Sequence, residues 1–278
     1  MKILIFAGSM RIVKSLYLTI FVIGLFSCGE YQKIYKGNDR SDKYKMAMKK
    51  FSEKEYLKSV QLFEQLRDMY GNRDSLENVY YHIAQCYYGL RDYSYASLIF
   101  KDYTENFTQN KRAIECAYMA LYCDFLTVGP SDLDQSETNA VIEALQLFTN
   151  YYPESSYTEK CNDLIDDLRH RLQKKEYNMV IQYYRMGEYQ SAVTAARNTV
   201  KIYPDIIQRE ELEYIMVHAQ YLYADNSITS KKIERFKEVL INFEDYLYNN
   251  NSASQHYSEV KEMAENATEK INKLEELL

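Results

Sequence analysis

Among 278 residues there are only 8 Gly and 3 Pro, and no Trp. A chain so short of helix breakers lacks the turns that a β-sandwich, a barrel or a doubly wound sheet requires, which leaves long helices as the expectation. No GxSxG, P-loop or GxGxxG occurs, and the few glycines cannot build a phosphate-cradling loop. The histidines, His82, His170, His218 and His256, are scattered, without HExxH or a second His one turn away, so no metal or general-base role is expected. No cysteine pair has CxxC spacing. Nothing looks catalytic, and neither an enzyme activity nor a cofactor is expected. Hydrophobic residues make up 46% and charged residues 27%, which excludes both a disordered acidic tail and a multi-pass membrane protein. The formal charge of −6 argues against nucleic acid as a partner, because phosphate binders concentrate basic residues.

What is present begins with an address. Lys2, Arg11 and Lys14 precede and enter an apolar stretch, residues 12–26, too short to span a bilayer as a helix. Residues 1–27 read as a signal peptide, with Met10 an alternative start. Leu25-Phe26-Ser27-Cys28 has the pattern of a bacterial lipobox, in which Cys28 receives the lipid, although Phe26 is bulkier than the usual residue. Ordinary cleavage with a free Cys28 is the other reading. Removal of residues 1–27 leaves 251 of the 278 residues and takes the net charge from −6 to −9. An acidic body would then hang from acyl chains, on a membrane without crossing it. Residues 28–40 read as a polar, irregular tether with a reach of roughly 40 Å when extended. No acidic run follows Cys28, which favours the periplasmic face.

A repeat of about 34 residues runs through the rest. Its clearest unit is residues 176–204, with Met179 and Tyr183 one helical turn apart, RMGEYQSA at 185–192, then Ala196, Thr199 and Pro204. This is the tetratricopeptide pattern, departing from it at Val180, where a small residue is usual. A second unit has Tyr80, Ile83, Ala84 and Tyr87, the turn GLRDYSYA, then Ala96, Phe100 and Tyr103. A weaker first unit precedes it by 37 residues, with Met46, Ala47, Tyr56, Ser59, Phe63 and Leu66. The third has Cys116, Met119, Ala120 and Cys123, then a long loop and a helix over 140–152 that stops at Pro153. The fifth is degenerate, carried by Tyr214, Val217, Ala219, Leu222, Ile233, Phe236, Val239, Leu240 and Phe243. Asp74 with Glu77 and Ser156 with Glu159 have capping spacing.

The expected fold is therefore all-α: a solenoid of about five tetratricopeptide-like helix pairs with a C-terminal capping helix. Repeats 1–3 occupy 41–153, repeats 4–5 occupy 154–250, and the last helix occupies 251–278. In that helix Tyr257, Val260, Ala264, Ala267, Ile271, Leu274 and Leu278 form one stripe. It either packs on the fifth unit, as the need to cap a solenoid favours, or docks a partner helix.

Several residues invite a chemical reading. Cys86, Cys116, Cys123 and Cys161 fall in helical patterns and read as buried thiols, with Cys86 and Cys123 the pair that an oxidising periplasm could join. Asp132, Asp134, Ser136 and Glu143 have calcium-loop spacing, but Glu137 replaces the Gly that the turn requires, so they read as a solvated, helix-capping loop. Of the 29 tyrosines many are repeat-core positions. Tyr44, Tyr81 and Tyr88, with Met48, Phe51 and Gln85, instead fall where first helices face the groove of a tetratricopeptide array. They are the candidate site for an extended or hairpin peptide with apolar anchors.

The lipobox at Cys28, FSEKEYLKSVQLFEQL at 51–66, SDLDQSET before AVIEALQLF, and YNMVIQYYRMGEYQSAV at 177–193, in this order, resemble the BamD (YfiO) family of lipoproteins. The resemblance spans essentially the whole chain. It implies a non-enzymatic scaffold of the β-barrel assembly machinery, anchored in the inner leaflet of the outer membrane. It also implies that the C-terminal repeats, within 185–250, dock on a BamA-like barrel protein, and that the N-terminal repeats receive segments of unfolded outer-membrane proteins. Two other readings stay open: a periplasmic adaptor for cell-wall enzymes, and a glycan-uptake lipoprotein, against which the lack of Trp counts.

Overall fold

The computed structural model describes residues 29–70, 73–131 and 133–277. The signal-peptide reading of 1–27, the alternative start at Met10 and the lipidation reading of Cys28 lie outside them. Among the described residues every regular element is a helix. Helix α1 covers 29–36. It is followed by α2 (Arg40–Ser52), α3 (Tyr56–Met69), α4 (Arg73–Gly89), α5 (Tyr93–Asn106), α6 (Ala113–Thr127), α7 (Ser136–Tyr151), α8 (Thr158–Arg185), α9 (Tyr189–Ile202), α10 (Arg209–Asp225), α11 (Thr229–Asn249) and α12 (Tyr257–Glu275). Consecutive helices pack as in a helical repeat solenoid, as the periodicity predicts.

Two compact units share these elements: residues up to 128 with 138–164, and residues 129–137 with 165 onward. In the first, α2 packs on α3, α3 on α4, α4 on α5 and α5 on α6. Its core joins Ala47, Phe63, Leu66, Ile83, Ala84, Ala96, Phe100 and Tyr103, all inaccessible to solvent. In the second, α10 packs on α9, α11 and α12. One core there is built on Val180, Ala192, Ala196 and Leu212, another on Val217, Phe236, Val239, Tyr246, Val260 and Ala267. The stripe on α12 is thus spent inside the unit, with Val260, Met263, Ala264, Ala267 and Ile271 buried. That decides between capping the last repeat and docking a partner helix.

Three inter-helix turns are the same object. Between α2 and α3, Glu53, Lys54 and Glu55 donate N–H bonds to the carbonyls of Lys49, Phe51 and Lys50. Leu90, Arg91 and Asp92 donate likewise to Cys86, Tyr88 and Tyr87, and Met186, Gly187 and Glu188 to Gln182, Tyr184 and Tyr183. In each turn the middle residue, two before the Tyr that opens the next helix, takes a left-handed backbone: φ is 60° at Lys54, 63° at Arg91 and 78° at Gly187. Only the third is Gly, so the first two turns carry strain that a Cβ imposes. The Gly of the second turn, Gly89, serves a different need. A Cβ there would lie 2.5 Å from the Tyr56 ring, so the end of α4 can approach α3 only without a side chain.

The N-terminal segment departs from the expected irregular tether. Residues 29–36 are helical because two long-range anchors hold them. Tyr31 is buried, and its hydroxyl donates to the Lys58 carbonyl at 3.1 Å and to Gln61 Oε1 at 3.0 Å. Lys43, buried on α2, donates from Nζ to the carbonyls of Ile34 (3.1 Å) and Tyr35 (2.7 Å) and to Gln65 Oε1, which satisfies the open end of α1. The four thiols Cys86, Cys116, Cys123 and Cys161 are buried and free, so Cys86 and Cys123 do not pair.

Two substitutions in the second turn should act in opposite directions. Gly89→Ala should cost about 1–3 kcal/mol, because the clash with Tyr56 exceeds the gain in helix propensity of up to ~1 kcal/mol. Arg91→Gly, whose side chain is exposed, should stabilise by about 0.5–1 kcal/mol by releasing the left-handed strain. Urea midpoints measured for both chains check this; a stabilised Gly89→Ala or a destabilised Arg91→Gly contradicts it.

Candidate functional site

The six candidate groove residues occupy two successive first helices in equivalent places. Tyr44, Met48 and Phe51 on α2 recur 37 residues later as Tyr81, Gln85 and Tyr88 on α4. All six are half-buried, and all but Gln85 pack against the core of the first unit. They do not share one pocket. Tyr44, Phe51 and Tyr81 gather round the buried pair Phe63 and His82. Tyr44 lies edge-on to Phe63 at 5.9 Å, and the His82 ring stacks on Phe63 at 5.1 Å. Phe51 and Tyr81 meet the His82 ring edge-on at 5.3 and 5.5 Å. Tyr88 belongs to a second group, 5.7 Å from Tyr93 and 6.4 Å from Tyr122.

The second group extends through residues that the sequence reading passed over. Tyr122 stacks with Tyr118 at 6.0 Å, Tyr118 with Tyr157 at 4.6 Å, and the Lys160 ammonium sits 5.1 Å from the Tyr157 ring centroid. Contacts from α4 to α6 span 34 residues, Tyr81 to Glu115 and Tyr88 to Tyr122. The aromatic surface of α4 therefore continues onto α6 in the third repeat.

Polar contacts fix this surface. The Tyr81 hydroxyl donates to Glu115 Oε1 at 2.9 Å, and the Arg112 guanidinium lies over the Tyr81 ring at 4.6 Å. Arg112 also pairs with Glu77 at 3.1 Å and donates to Asn78 Oδ1 at 2.8 Å, while Glu77 accepts from Tyr103. Burial, together with the bond to Glu115, pushes the Tyr81 phenol up to about 12, so it stays a donor at any physiological pH. Burial raises the thiols too, Cys86 and Cys123 to about 12 and Cys161 to about 11, which leaves them unreactive. Asp132 of the loop with calcium-type spacing lies outside the described residues. Of its neighbours, Ser136 donates to Asp134 Oδ1 at 3.2 Å and Gln135 Nε2 to the Pro130 and Leu133 carbonyls at 3.0 Å, the work of a loop that opens α7. Among the described residues no three His, Cys, Asp or Glu are grouped to hold a metal, and no helix is long and apolar enough to cross a membrane.

In the second unit, a groove of about 410 Å³ between α11 and α12 is lined by Leu240, Phe243, Leu247, Ala264 and Thr268 together with the charged Glu244, Lys261 and Glu265. Nearby on α11, Tyr248 is 91% and Ile241 50% exposed. The loop that follows is held by a buried carboxylate: Glu213 accepts from Arg209 Nε (2.9 Å), Asn249 Nδ2 (2.9 Å) and Asn250 Nδ2 (2.6 Å).

His82 gives the first site a pH dependence. Burial lowers its pKa, with Arg112 acting in the same direction, against the Asn78 carbonyl, to which Nδ1–H donates, and Glu77. The unfolded chain then binds the proton more tightly, so stability is full above the ordinary His value of about 6.5 and falls as pH drops below it. His218 on α10, lowered by burial against Glu259, acts with the same sign. The melting temperature should therefore be flat above pH 7 and fall between pH 6.5 and 5.5, and His82→Phe, which keeps the stack on Phe63, should reduce that fall. An unchanged pH profile in the variant refutes the assignment.

A search of curated proteins returns no match. One similar solved structure, described as "Computational Design of Self-Assembling Cyclic Protein Homooligomers", is 15% identical over 93% of this chain and 96% of its own, and its TM-score of 0.20 supports no argument. The family model described as "YfiO: Outer membrane lipoprotein" matches residues 36–232, from the end of α1 into α11. The chain belongs to the YfiO family of outer membrane lipoproteins.

Proposed function

We propose that this lipoprotein is a non-enzymatic scaffold of the outer-membrane β-barrel assembly machinery, held on the periplasmic face of the outer membrane by lipid on Cys28. Its C-terminal repeats, within 154–250 and capped by the helix in 251–278, bind a BamA-like barrel protein. Its N-terminal repeats, within 41–153, bind segments of unfolded outer-membrane proteins. The observation that carries this reading is the family match over 36–232, which takes in the N-terminal repeats and the C-terminal ones as far as the first residues of α11.

The two surfaces support it in different ways. Tyr44, Met48, Phe51, Tyr81, Gln85 and Tyr88 offer half-exposed rings, a thioether and an amide along equivalent positions of two repeats, suited to an extended strand with apolar side chains at intervals. Tyr81 is the most constrained of them, because its hydroxyl is already committed to Glu115. Tyr44 and Met48 are thus freer to meet a ligand, while the Tyr88 hydroxyl is engaged with Tyr122. In the C-terminal repeats, Ile241, Leu247 and Tyr248 on α11 are exposed, and Leu247 lines the groove against α12 beside Glu244, Lys261 and Glu265, a mixture of apolar anchors and charge that suits a protein partner.

Pull-down from solubilised membranes tests the scaffold, with Cys28→Ala as the check on anchoring. The intact chain should recover a barrel protein with periplasmic repeats, and Leu247→Ala with Tyr248→Ala should reduce that recovery at least about tenfold, as loss of a hot spot of 1.4 kcal/mol or more does. A photo-crosslinker at Tyr44 or Tyr88 should capture nascent barrel proteins, and one at the exposed Leu98 of α5 should not. Recovery of murein enzymes in place of the barrel protein, or capture at Leu98 but not at Tyr44 and Tyr88, overturns the reading.

A further inference from the structure

The charge of this chain is segregated. Residues 29–58 hold nine Lys and Arg against five Asp and Glu, whereas residues 59–278 hold 22 against 35. A basic segment thus opens an acidic body. Part of it is spent internally: Lys43 is buried beneath α1, Lys50 pairs with Glu53 (2.7 Å) and Glu55 (3.1 Å), and Lys58 pairs with Glu55 (2.5 Å). Arg40 stands 5.6 Å from the Tyr70 ring. Lys33, Lys36, Lys45, Lys49 and Lys54 are exposed and make no ion pair among the described residues. The exposed acids of the same stretch of α1 and α2 are Glu30, Asp39 and Asp42, and Asp39 is occupied as the cap of α2, accepting from the Asp42 N–H at 2.8 Å.

Position along the helices concentrates the free lysines. Lys33 and Lys36 lie three residues apart on α1, and Lys45 and Lys49 lie one turn apart on α2, so each pair shares one side of its helix. The segment is also fixed in place. Tyr31 and Lys43 bind α1 to α2 and α3 by hydrogen bonds across 27 and 9 residues. Gly29, the first described residue, is joined directly to Cys28. An extended tether of residues 28–40 would let the body drift roughly 40 Å from an acyl anchor. With α1 folded and docked, eight residues at 1.5 Å each give only about 12 Å, and the first repeat begins at the lipid.

We propose that α1 and α2 form a basic seat that holds the first repeat against an anionic lipid surface beside the acyl anchor. The occupant is a bilayer with anionic headgroups, for three reasons: the covalent neighbour of the segment is the lipid-bearing residue, the free charges are lysines, and the remaining chain is acidic and repelled by such a surface. The seat rests on the reading of Cys28 as lipidated. It supplies the second membrane signal that stable anchoring commonly requires, and it orients the repeats where a lipid on a loose tether would not.

The unlipidated mature chain, residues 28–278 with Cys28→Ser, is the first probe. It should sediment with vesicles of phosphatidylethanolamine and phosphatidylglycerol at low salt, not with phosphatidylcholine vesicles, and should be released at 0.5 M salt by screening. Lys33→Gln, Lys36→Gln, Lys45→Gln and Lys49→Gln together should weaken binding by roughly fivefold per charge. The four Lys→Arg replacements should retain it, and Lys261→Gln with Lys273→Gln should leave it unchanged. These side chains are exposed, so an unchanged melting temperature shows that folding is intact. Equal binding to neutral vesicles, or full binding by the Gln variant, overturns the proposal.

The second probe is the lipidated chain in the anionic vesicles, with a fluorophore on Gln32→Cys, a position exposed on α1; the native thiols, buried, do not compete for the label. Headgroup-quencher lipids should quench it, and the four Gln substitutions should relieve the quenching while the chain stays anchored. Quenching unaffected by those substitutions, or absent from the start, overturns the seat. Because the first probe carries no lipid, a failure of the seat and a failure of Cys28 lipidation give different results.

Discussion

Close approach of paired helix backbones is the constraint on which the rest of this structure depends. It is set where the second helix of a pair carries a small residue against the first. Ser59, Ala96 and Ala192 hold that place in three pairs, and none of them is accessible to solvent. Facing positions on the first helices are taken by Ala47, Ala84 and Val180, equally buried. Ser59 meets the cost of its hydroxyl by donating to the Ala47 carbonyl at 2.9 Å, so a polar residue serves where Ala stands elsewhere. Val180 shows the tolerance of the contact: two more methyl groups fit when Ala192 and Ala196 lie opposite. A helix pair at this spacing exposes one apolar face, and only the next pair can cover it.

Stacking at a fixed step then explains the tyrosines. A phenol buried on its ring side and one step from the next repeat reaches a carboxylate there. Tyr81 donates to Glu115 at 2.9 Å and Tyr177 to Glu211 at 2.8 Å, both across 34 residues. Tyr246 donates to Glu210 at 2.6 Å, and Tyr87 to Glu64 at 2.8 Å. Each bond joins separate helices and satisfies a hydroxyl that burial would otherwise leave costly. Tyrosine is suited to this because it delivers core area and a directional bond from one side chain, and phenylalanine could supply only the first. The row of first-helix positions therefore does two things at once. Tyr81 and Tyr177 hold successive repeats together, and Tyr44, Met48 and Gln85 are left half-exposed on the proposed peptide site.

How much of this could be read from the residues follows from the range of each interaction. Small-residue and aromatic positions recur at a fixed step, so the helix pairs, their turns and the fold class were legible. The stripe on α12 was legible as a stripe, but periodicity does not say what covers it; Val217, Phe236 and Tyr246 do. Docking of α1 was not legible, because it hangs on two side chains, Tyr31 and Lys43, whose partners no local pattern marks. The left-handed residues Lys54 and Arg91 were hidden for a related reason, since the turn geometry is imposed by the packing of the helices on either side. In the candidate site, equivalent positions on α2 and α4 were found by their repeat phase. Tyr118, Tyr122 and Glu115 were missed because they join the site through contacts between α4, α6 and the start of α8, which the repeat phase of α2 and α4 does not mark. His82 was set aside as an isolated histidine, yet its ring is the centre on which Phe51, Phe63 and Tyr81 meet.

The two termini of the described chain are closed by different means, and the difference bears on function. At the C-terminal end α12 buries Val260, Met263, Ala264, Ala267 and Ile271, a contact that is non-directional and tolerant of small shifts. At the N-terminal end α1 adds directional hydrogen bonds to the apolar contacts of Tyr31, Ile34 and Tyr35. Burial lowers the pKa of the Lys43 ammonium, which donates to the Ile34 and Tyr35 carbonyls and to Gln65. Detaching α1 would break two of the three hydrogen bonds of that ammonium and expose it to water, while Gln65 of α3 would stay as its acceptor. A polar clamp therefore fixes α1 against the first repeat, and on the proposed lipidation of Cys28 it would present the repeats in one orientation. An apolar cap would give comparable stability without that definition.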